Sequence, residues 1–339
     1  VTTAEVQLVD VRLLGVDLSN KSFPISDYLS LVWTRRYYGV GEFTLVLNPD
    51  YFEQVRAARY VYHSVNREVG IIDNVWLETS KSAGLQLKVI GRMLEGILDS
   101  RVIDFAASYD HWTVSAISND LVTRLALTGD RTIPGLQLDP GAPVFSDTLS
   151  QKWESGERLD EALYGMLETL EASCRIWYDY GTDTMYFGLW RGLDRTQGQT
   201  ANTWAHFSVS FENVVAGKYN YSTADYRNVA IVVQPDDAEY GRIQTVVDRR
   251  LPGDERMELY VASRVTSRDP DDADVPLPLG TVLAQMQQEG AEALLEWPNR
   301  ESLYADLDAH ANLQYRTHFD LGDLVDYVDK RYGVAAAAR

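Results

Sequence analysis

Cysteine is almost missing. Cys174 is the single one in 339 residues, which excludes an internal disulfide and any cysteine-based zinc site. It lies in LEASCRIWYDY, where an apolar turn runs into a strand, and is expected to be a buried structural thiol. No apolar run approaches ~18 residues, so no membrane insertion by this chain is expected. The opening VTTAEVQLVDVRLLGV has neither the basic start nor the apolar core of a signal peptide. Positive charge is also short, with 31 Lys and Arg against 50 Asp and Glu, a net charge of −19. Tight wrapping of nucleic acid needs a basic footprint that this balance does not supply. It does not forbid surrounding DNA, since an acidic wall repels a negative polymer and lets it slide.

The usual catalytic and binding motifs are absent too. There is no GxSxG elbow, no GxxxxGK[ST] phosphate loop and no HExxH, and no histidine pair has i, i+4 metal spacing on a helix. His310 and His318 share a strand face by spacing and read as surface histidines. The run Asp269, Asp271, Asp272, Asp274 lacks the central glycine of a calcium loop, and its twelfth position is Gly280 instead of glutamate. Glu95 and Asp104 have the spacing used by phage-type lysozymes, but the position six further on is Asp110, not threonine. Glu95 falls in a helical stripe and is expected to face solvent. No cofactor, metal or catalytic residue is expected.

What is present points to strands. Twenty tyrosines and eight tryptophans suit a β-rich protein that assembles. VQLVDVRLLGV, LSLVWT, EFTLVLN, GIIDNVWLETS and GLQLKVIG read as strands joined by short turns. NPDYFEQVRAARYV holds one helical turn opening near Asp50. From Met93 the period changes: MLEGILDSRVI, TVSAISNDLVTRLAL and LDEALYGMLETLEAS are helical, the last with Leu159, Leu163, Met166, Leu167 and Leu170 in one stripe. RTIPGLQLDPGAPVFSD is loop, and CRIWYDYGTDTMYFGLW is a hairpin. Strand patterns resume near Phe207, interrupted by a helix near 279–297 that ends at Pro298.

The expected fold is therefore mostly β with added α. A β-barrel or sandwich domain spans 1–98, a helical insert with a β-hairpin spans 99–205, and a second β domain spans 206–339. The final KRYGVAAAAR looks like a strand cut short, so the natural chain is expected to continue past Arg339.

One stretch poses a choice. WTRRYYGVGEFTLVLNP, residues 33–49, offers Gly39-Val40-Gly41 beside two arginines, as a phosphate cradle would. No helix follows. Instead Phe43, Leu45 and Leu47 alternate with Glu42, Thr44 and Val46, so the glycines mark a hairpin tip or bulge. Arg35, Arg36, Tyr37 and Tyr38 decorate that tip, with Glu42 beside them.

The same hairpin resembles the N-terminal signature of siphophage tail-tip (baseplate) hub proteins, the minor tail proteins of phages infecting actinobacteria. GIIDNVW, LQLKVIGRMLEGILDSRVI, YSTADYRNVAIVV and HFDLGDLVDYVD continue the likeness in order over most of the chain. Such hubs are similar to contractile-tail baseplate hubs, in which three subunits each give two tail-tube-like barrels. The resemblance implies a homotrimer forming a pseudo-sixfold ring on the tail tube, located at the virion tail tip. The implied partners are the distal tail protein, tail tube, tape-measure protein and fibre or spike proteins, with DNA passing through unbound. It makes Arg35, Arg36, Tyr37, Tyr38 and Glu42 a candidate inter-subunit hairpin. Asp236, Asp237 and Glu239, in a loop between strands, become candidate lumen-facing acids. Two rivals stand beside this: a tail-associated cell-wall hydrolase, and a host glycan-binding module using Trp112, Trp153 and Trp204.

Overall fold

Phe43, Leu45 and Leu47 alternate because they belong to one buried face of an antiparallel sheet. In the computed structural model, which describes residues 9–18, 21–80, 84–268, 275–298, 300–308, 312–330 and 333–338, strand (41%) outweighs helix (20%). The several sheets include a curled half-barrel. The chain divides into two compact units. The first comprises 1–206, 313–327 and 335–339; the second comprises 207–312 and 328–334.

The first unit opens with β1 (Val11–Leu14), β2 (Ser30–Thr34), β3 (Glu42–Leu47), a short helix α1 (Phe52–Ala57), β4 (Tyr60–His63), β5 (Glu68–Ser80) and β6 (Gly84–Met93). The six strands form one antiparallel sheet in the order β1-β4-β5-β6-β3-β2. One face buries Val11, Leu13, Phe43, Leu45, Val61, Ile72, Leu87 and Val89, closed over by Val55 of α1. Phe43 stacks on Trp33 at 5.2 Å. It also fills the space where Gly91 has no side chain, since a Cβ there would lie 2.5 Å from the ring. The other face presents Leu14, Tyr60, Tyr62, Val69 and Ile71 to a second, larger core.

That larger core is built by the following segment: β7 (Ala107–Thr113), α2 (Val114–Ala126), β8 (Leu136–Leu138), β9 (Thr148–Trp153), α3 (Leu159–Glu168), β10 (Ser173–Asp179) and β11 (Thr184–Trp190). α2 starts at Thr113, whose hydroxyl accepts the Ala116 N–H at 3.3 Å. On α3 the expected stripe holds, with Leu159, Leu163, Met166 and Leu167 buried and Leu170 packed at its edge. The expected hairpin is β10–β11, paired from Ser173–Trp190 to Asp179–Thr184.

Two local readings need correction, and one strand pair is added. The helical period at Leu94–Ser100 produces only 3-10 turns, because seven residues around Gly96 are too few to carry a stable α-helix. The stretch read as loop contains β8, which pairs in parallel with β11. β7 and β9 pair with each other, and a register shift between Tyr109 and Trp112 breaks the alternation of β7.

In the second unit, strands Val229–Asp237, Gly241–Asp248 and Glu258–Ala262 form a sheet. Helix α4 (Leu279–Leu295) packs on it through Val282, Met286 and Leu294 against Ala230, Val232 and Ile243. Strands Val214–Ser222 and Arg300–Leu307 make a separate two-stranded ribbon. No helix of the described residues is long and apolar enough to cross a membrane. The run Asp269–Asp274 and His310 lie outside the described residues.

Candidate functional site

The connection between β2 and β3 is a hairpin, paired from Ser30–Val46 to Thr34–Glu42. Its polar residues take two different courses. Arg36 and Glu42 stay exposed and pair with each other at 3.0 Å. Arg35 turns inward: its Nε meets Glu68 Oε1 at 2.8 Å and its Nη1 meets Asp320 Oδ1 at 3.2 Å, with Tyr315 OH also accepting from it. Burial disfavours the Arg35 cation, but Glu68, Tyr315 and Asp320 more than compensate and hold its pKa above the ordinary value. Arg316 pairs with the same Glu68 Oε1, so one carboxylate serves two guanidinium groups. Tyr37 is buried, its OH donating to Glu171 O at 3.0 Å, while Tyr38 packs edge-on against it and remains exposed.

Of these, Arg35, Arg36, Glu68, Arg316 and Asp320 line a cleft of ≈ 950 Å³ in the first unit. The turn after β4 brings Asn66 and Arg67, and the start of β5 brings Glu68; β10 and β11 bring Arg175, Trp177 and Trp190; the returning segment brings Arg316 and Asp320. At its base lie Glu95, Tyr164 and Cys174. The expectation that Glu95 faces solvent is overturned. The 3-10 turn directs its carboxylate inward, where Oε1 accepts the Ile176 N–H at 3.3 Å. Burial pushes its pKa up, and the backbone N–H groups around it offset this only in part. Cys174 is a buried free thiol beside Tyr164, and burial likewise pushes its pKa far up, so the thiol stays protonated.

Next to the cleft, Asp323 organises the returning segment. It accepts the Leu193 N–H at 2.7 Å and the Asp320 N–H at 2.9 Å, and pairs with Arg195 Nε at 2.5 Å. Gly322, at φ 85°, lets the chain pass beneath the Tyr37 ring. Gly322 and Asp323 of the HFDLGDLVDYVD stretch thus each have a physical reason in the contacts they make.

The other sequence candidates scatter. Asp237 ends its strand and is buried. It accepts the backbone N–H groups of Glu239 and Tyr240 at 2.9 Å and of Ser267 at 3.0 Å. Burial pushes its carboxyl up, but these donors outweigh it and bring the pKa down to about 2. Asp236 and Glu239 are exposed, Glu239 lying 3.8 Å from Arg268. Trp153 is buried, whereas Trp112 and Trp204 are exposed, and none of the three lines the cleft. Asp104 pairs with Arg131 at 2.8 Å and Asp110 bonds Ser150 and His111, both away from Glu95's cleft. Among the described residues, no group of three or more His, Cys, Asp and Glu is arranged to hold a metal ion.

Sequence reasoning found Arg35 and Tyr37 but missed Glu68, Trp177, Arg175 and Arg316. The alternation of β10, with Arg175 and Trp177 on its polar face, was the one available signal.

No curated protein matches the chain. A tail protein from Neisseria meningitidis MC58 superposes at TM-score 0.55 and 15% identity, covering 97% of this chain and 89% of its own. The prophage tail protein gp18 from Listeria monocytogenes EGD-e gives 0.52 at 9% identity, covering 97% and 87%. The prophage MuSo2 43 kDa tail protein from Shewanella oneidensis gives 0.51 at 11%, covering 97% and 91%. The chain therefore shares its fold with these three tail proteins. The profile of the Siphovirus ReqiPepy6 Gp37-like proteins matches residues 17–339, and the chain belongs to that family.

Proposed function

We propose that this chain is a structural subunit of a phage tail tip, a hub that extends the tail tube, encloses the DNA exit channel and anchors distal tail, fibre or spike proteins. The observation that supports it is the fold likeness to three tail proteins over 97% of the chain. In this reading the chain has no catalysis of its own and resides in the virion. Segments 1–98 and 206–339 act as two tube-like β domains, and 99–205 lies outside the ring or braces a neighbouring subunit. Three copies supply six such domains, matching a hexameric tube. Of the candidate contact residues, Arg36, Tyr38 and Glu42 are exposed where a neighbouring copy can meet them, while Arg35 and Tyr37 shape the hairpin from within. Asp236 and Glu239 remain the acids available to a channel wall, where they would repel phosphate at long range.

Light scattering at several concentrations, with negative-stain images of the same sample, tests this. A ring-shaped particle of about 115 kDa, three copies of a 38.3 kDa chain, is the expected result. A monomer that clears peptidoglycan would overturn it in favour of a hydrolase.

A further inference from the structure

The outer face of β10–β11 differs from the rest of the acidic surface. Alternation along β10 buries Cys174, Ile176 and Tyr178 and leaves Arg175 and Trp177 outside. Register sets Trp177 opposite Tyr186, and the two rings stack at 4.6 Å and 25°. Trp177 is 37% exposed, and its indole N–H donates to Asp139 Oδ2 at 2.9 Å, which fixes the ring in place. A fixed, half-open aromatic plate next to carboxylates suits a sugar ring. The apolar C–H face lies on the indole, and the hydroxyls donate to Asp139 and Asp179, which also line the cleft.

Two guanidinium groups add a charge preference. Arg175 lies over the Trp190 ring at 5.3 Å, and Arg67 sits on a left-handed residue, φ 55°, in the turn after β4. Both line the cleft, and among the described residues neither has an acid within ion-pair distance. Arg35 and Arg316, by contrast, are committed to Glu68. A guanidinium without a carboxylate partner offers two parallel N–H donors to one that arrives.

We propose that this cleft binds an acidic oligosaccharide, with a sugar ring on Trp177 and a sugar carboxylate on Arg175 or Arg67. The volume of ≈ 950 Å³ is at the upper end for small-ligand clefts and admits more than one ring. The inference does not depend on the tail-tip reading; a particle that fails to form a ring leaves it standing. An acidic peptide would use the arginines without needing the plate.

The test is titration of the full chain with trigalacturonate, read by calorimetry and tryptophan fluorescence. The neutral galactose trimer and a hexaglutamate peptide are run beside it. Saturable binding of trigalacturonate is expected, about 10-fold or more tighter than the neutral trimer. Trp177→Ala and Arg175→Ala should each weaken it about 10-fold with melting curves unchanged, and Arg175→Lys should recover part of the loss. If Trp177→Ala shifts the melting curve, Arg67→Ala, on an exposed turn, carries the test. Hexaglutamate binding as tightly as the sugar and indifferent to Trp177→Ala overturns the proposal in favour of a peptide site. No saturable binding of trigalacturonate into the millimolar range overturns it as well.

Discussion

The ring of Tyr37 rests directly on Gly322. A Cβ at Gly322 would lie 2.2 Å from the ring's Cε2, and the glycine's φ of 85° is one that side chains rarely adopt. The Tyr37 OH meanwhile donates to Glu171 O and accepts the Gly192 N–H at 3.4 Å. Hairpin and returning segment are thus fitted to each other over 285 positions of sequence. Gly322→Ala is expected to destabilise the first unit by roughly 2–4 kcal/mol, combining backbone strain with a steric clash. Tyr37→Phe, which keeps the ring and loses its two hydrogen bonds, should cost about 1–2 kcal/mol. Urea unfolding followed by tryptophan fluorescence checks both. Equal losses would mean that the ring's seat on Gly322 matters no more than the hydroxyl's hydrogen bonds.

Arg195 and Asp323 form the most buried ion pair of the returning segment, with side chains 16% and 4% exposed. Removing one partner strands the other charge. Asp323→Ala should therefore cost about 3–5 kcal/mol, and Asp323→Asn, which still accepts the Leu193 N–H, about 1–3 kcal/mol. Limited proteolysis between 313 and 327 should accelerate in the same order.

His63 sets a pH dependence. It is buried against Trp33, and its Nδ1 accepts the Asn66 N–H at 3.1 Å, which requires the unprotonated ring. Burial pushes its pKa down; Glu68 pulls it up and Arg316 pushes it down further. A base whose folded pKa lies below its unfolded value binds fewer protons when folded. Its contribution is present in full above the unfolded value of ~6.5 and is lost as pH falls from there toward the folded pKa. Urea midpoints measured from pH 8 to pH 5 should decline below ~6.5, and His63→Gln should flatten that decline.

Glu95 works in the opposite sense. Its carboxyl is held above the ordinary range, so the folded state binds the proton more tightly than the unfolded chain and ionisation weakens the fold. Stability should fall as pH rises through the unfolded glutamate value, levelling off above the folded one. Glu95→Gln keeps an acceptor for Ile176 and removes the charge. It should raise the melting temperature at pH 7, with the gain shrinking in acid. A variant that melts lower at pH 7 would mean the carboxylate is serving a cation in the cleft.

Legibility in the sequence followed the range of the interactions involved. Phe43, Leu45 and Leu47 announced their strand because period-2 burial is a local property. The α3 stripe and the β10–β11 turn were local in the same way. Glu95 was misread because its helical spacing is real over one turn, while its burial comes from Ile176, 81 positions away. Arg35 could be picked out as an odd cation at a hairpin tip. Its partners Tyr315 and Asp320, 280 and 285 positions on, left no trace in that stretch. Trp177 had an alternation that placed it outside, yet nothing in the sequence told that Asp139, 38 positions back, would fix its ring.

The second unit is spliced into the path of the first: residues 207–312 leave before 313–327 come back. A ribosome therefore delivers the segment ending at His206 before its own closing piece, with Tyr37 not yet covered and Arg195 not yet joined to Asp323. At ~5–20 residues per second the wait for the returning segment is on the order of 10 s. Joining Arg195 to Asp323 then closes a 128-residue separation, whose entropy grows only with the logarithm of the free length. Every residue of 207–312 that has already condensed around Met286 shortens that free length. Unit two, in synthesis, is the tether that lets unit one finish.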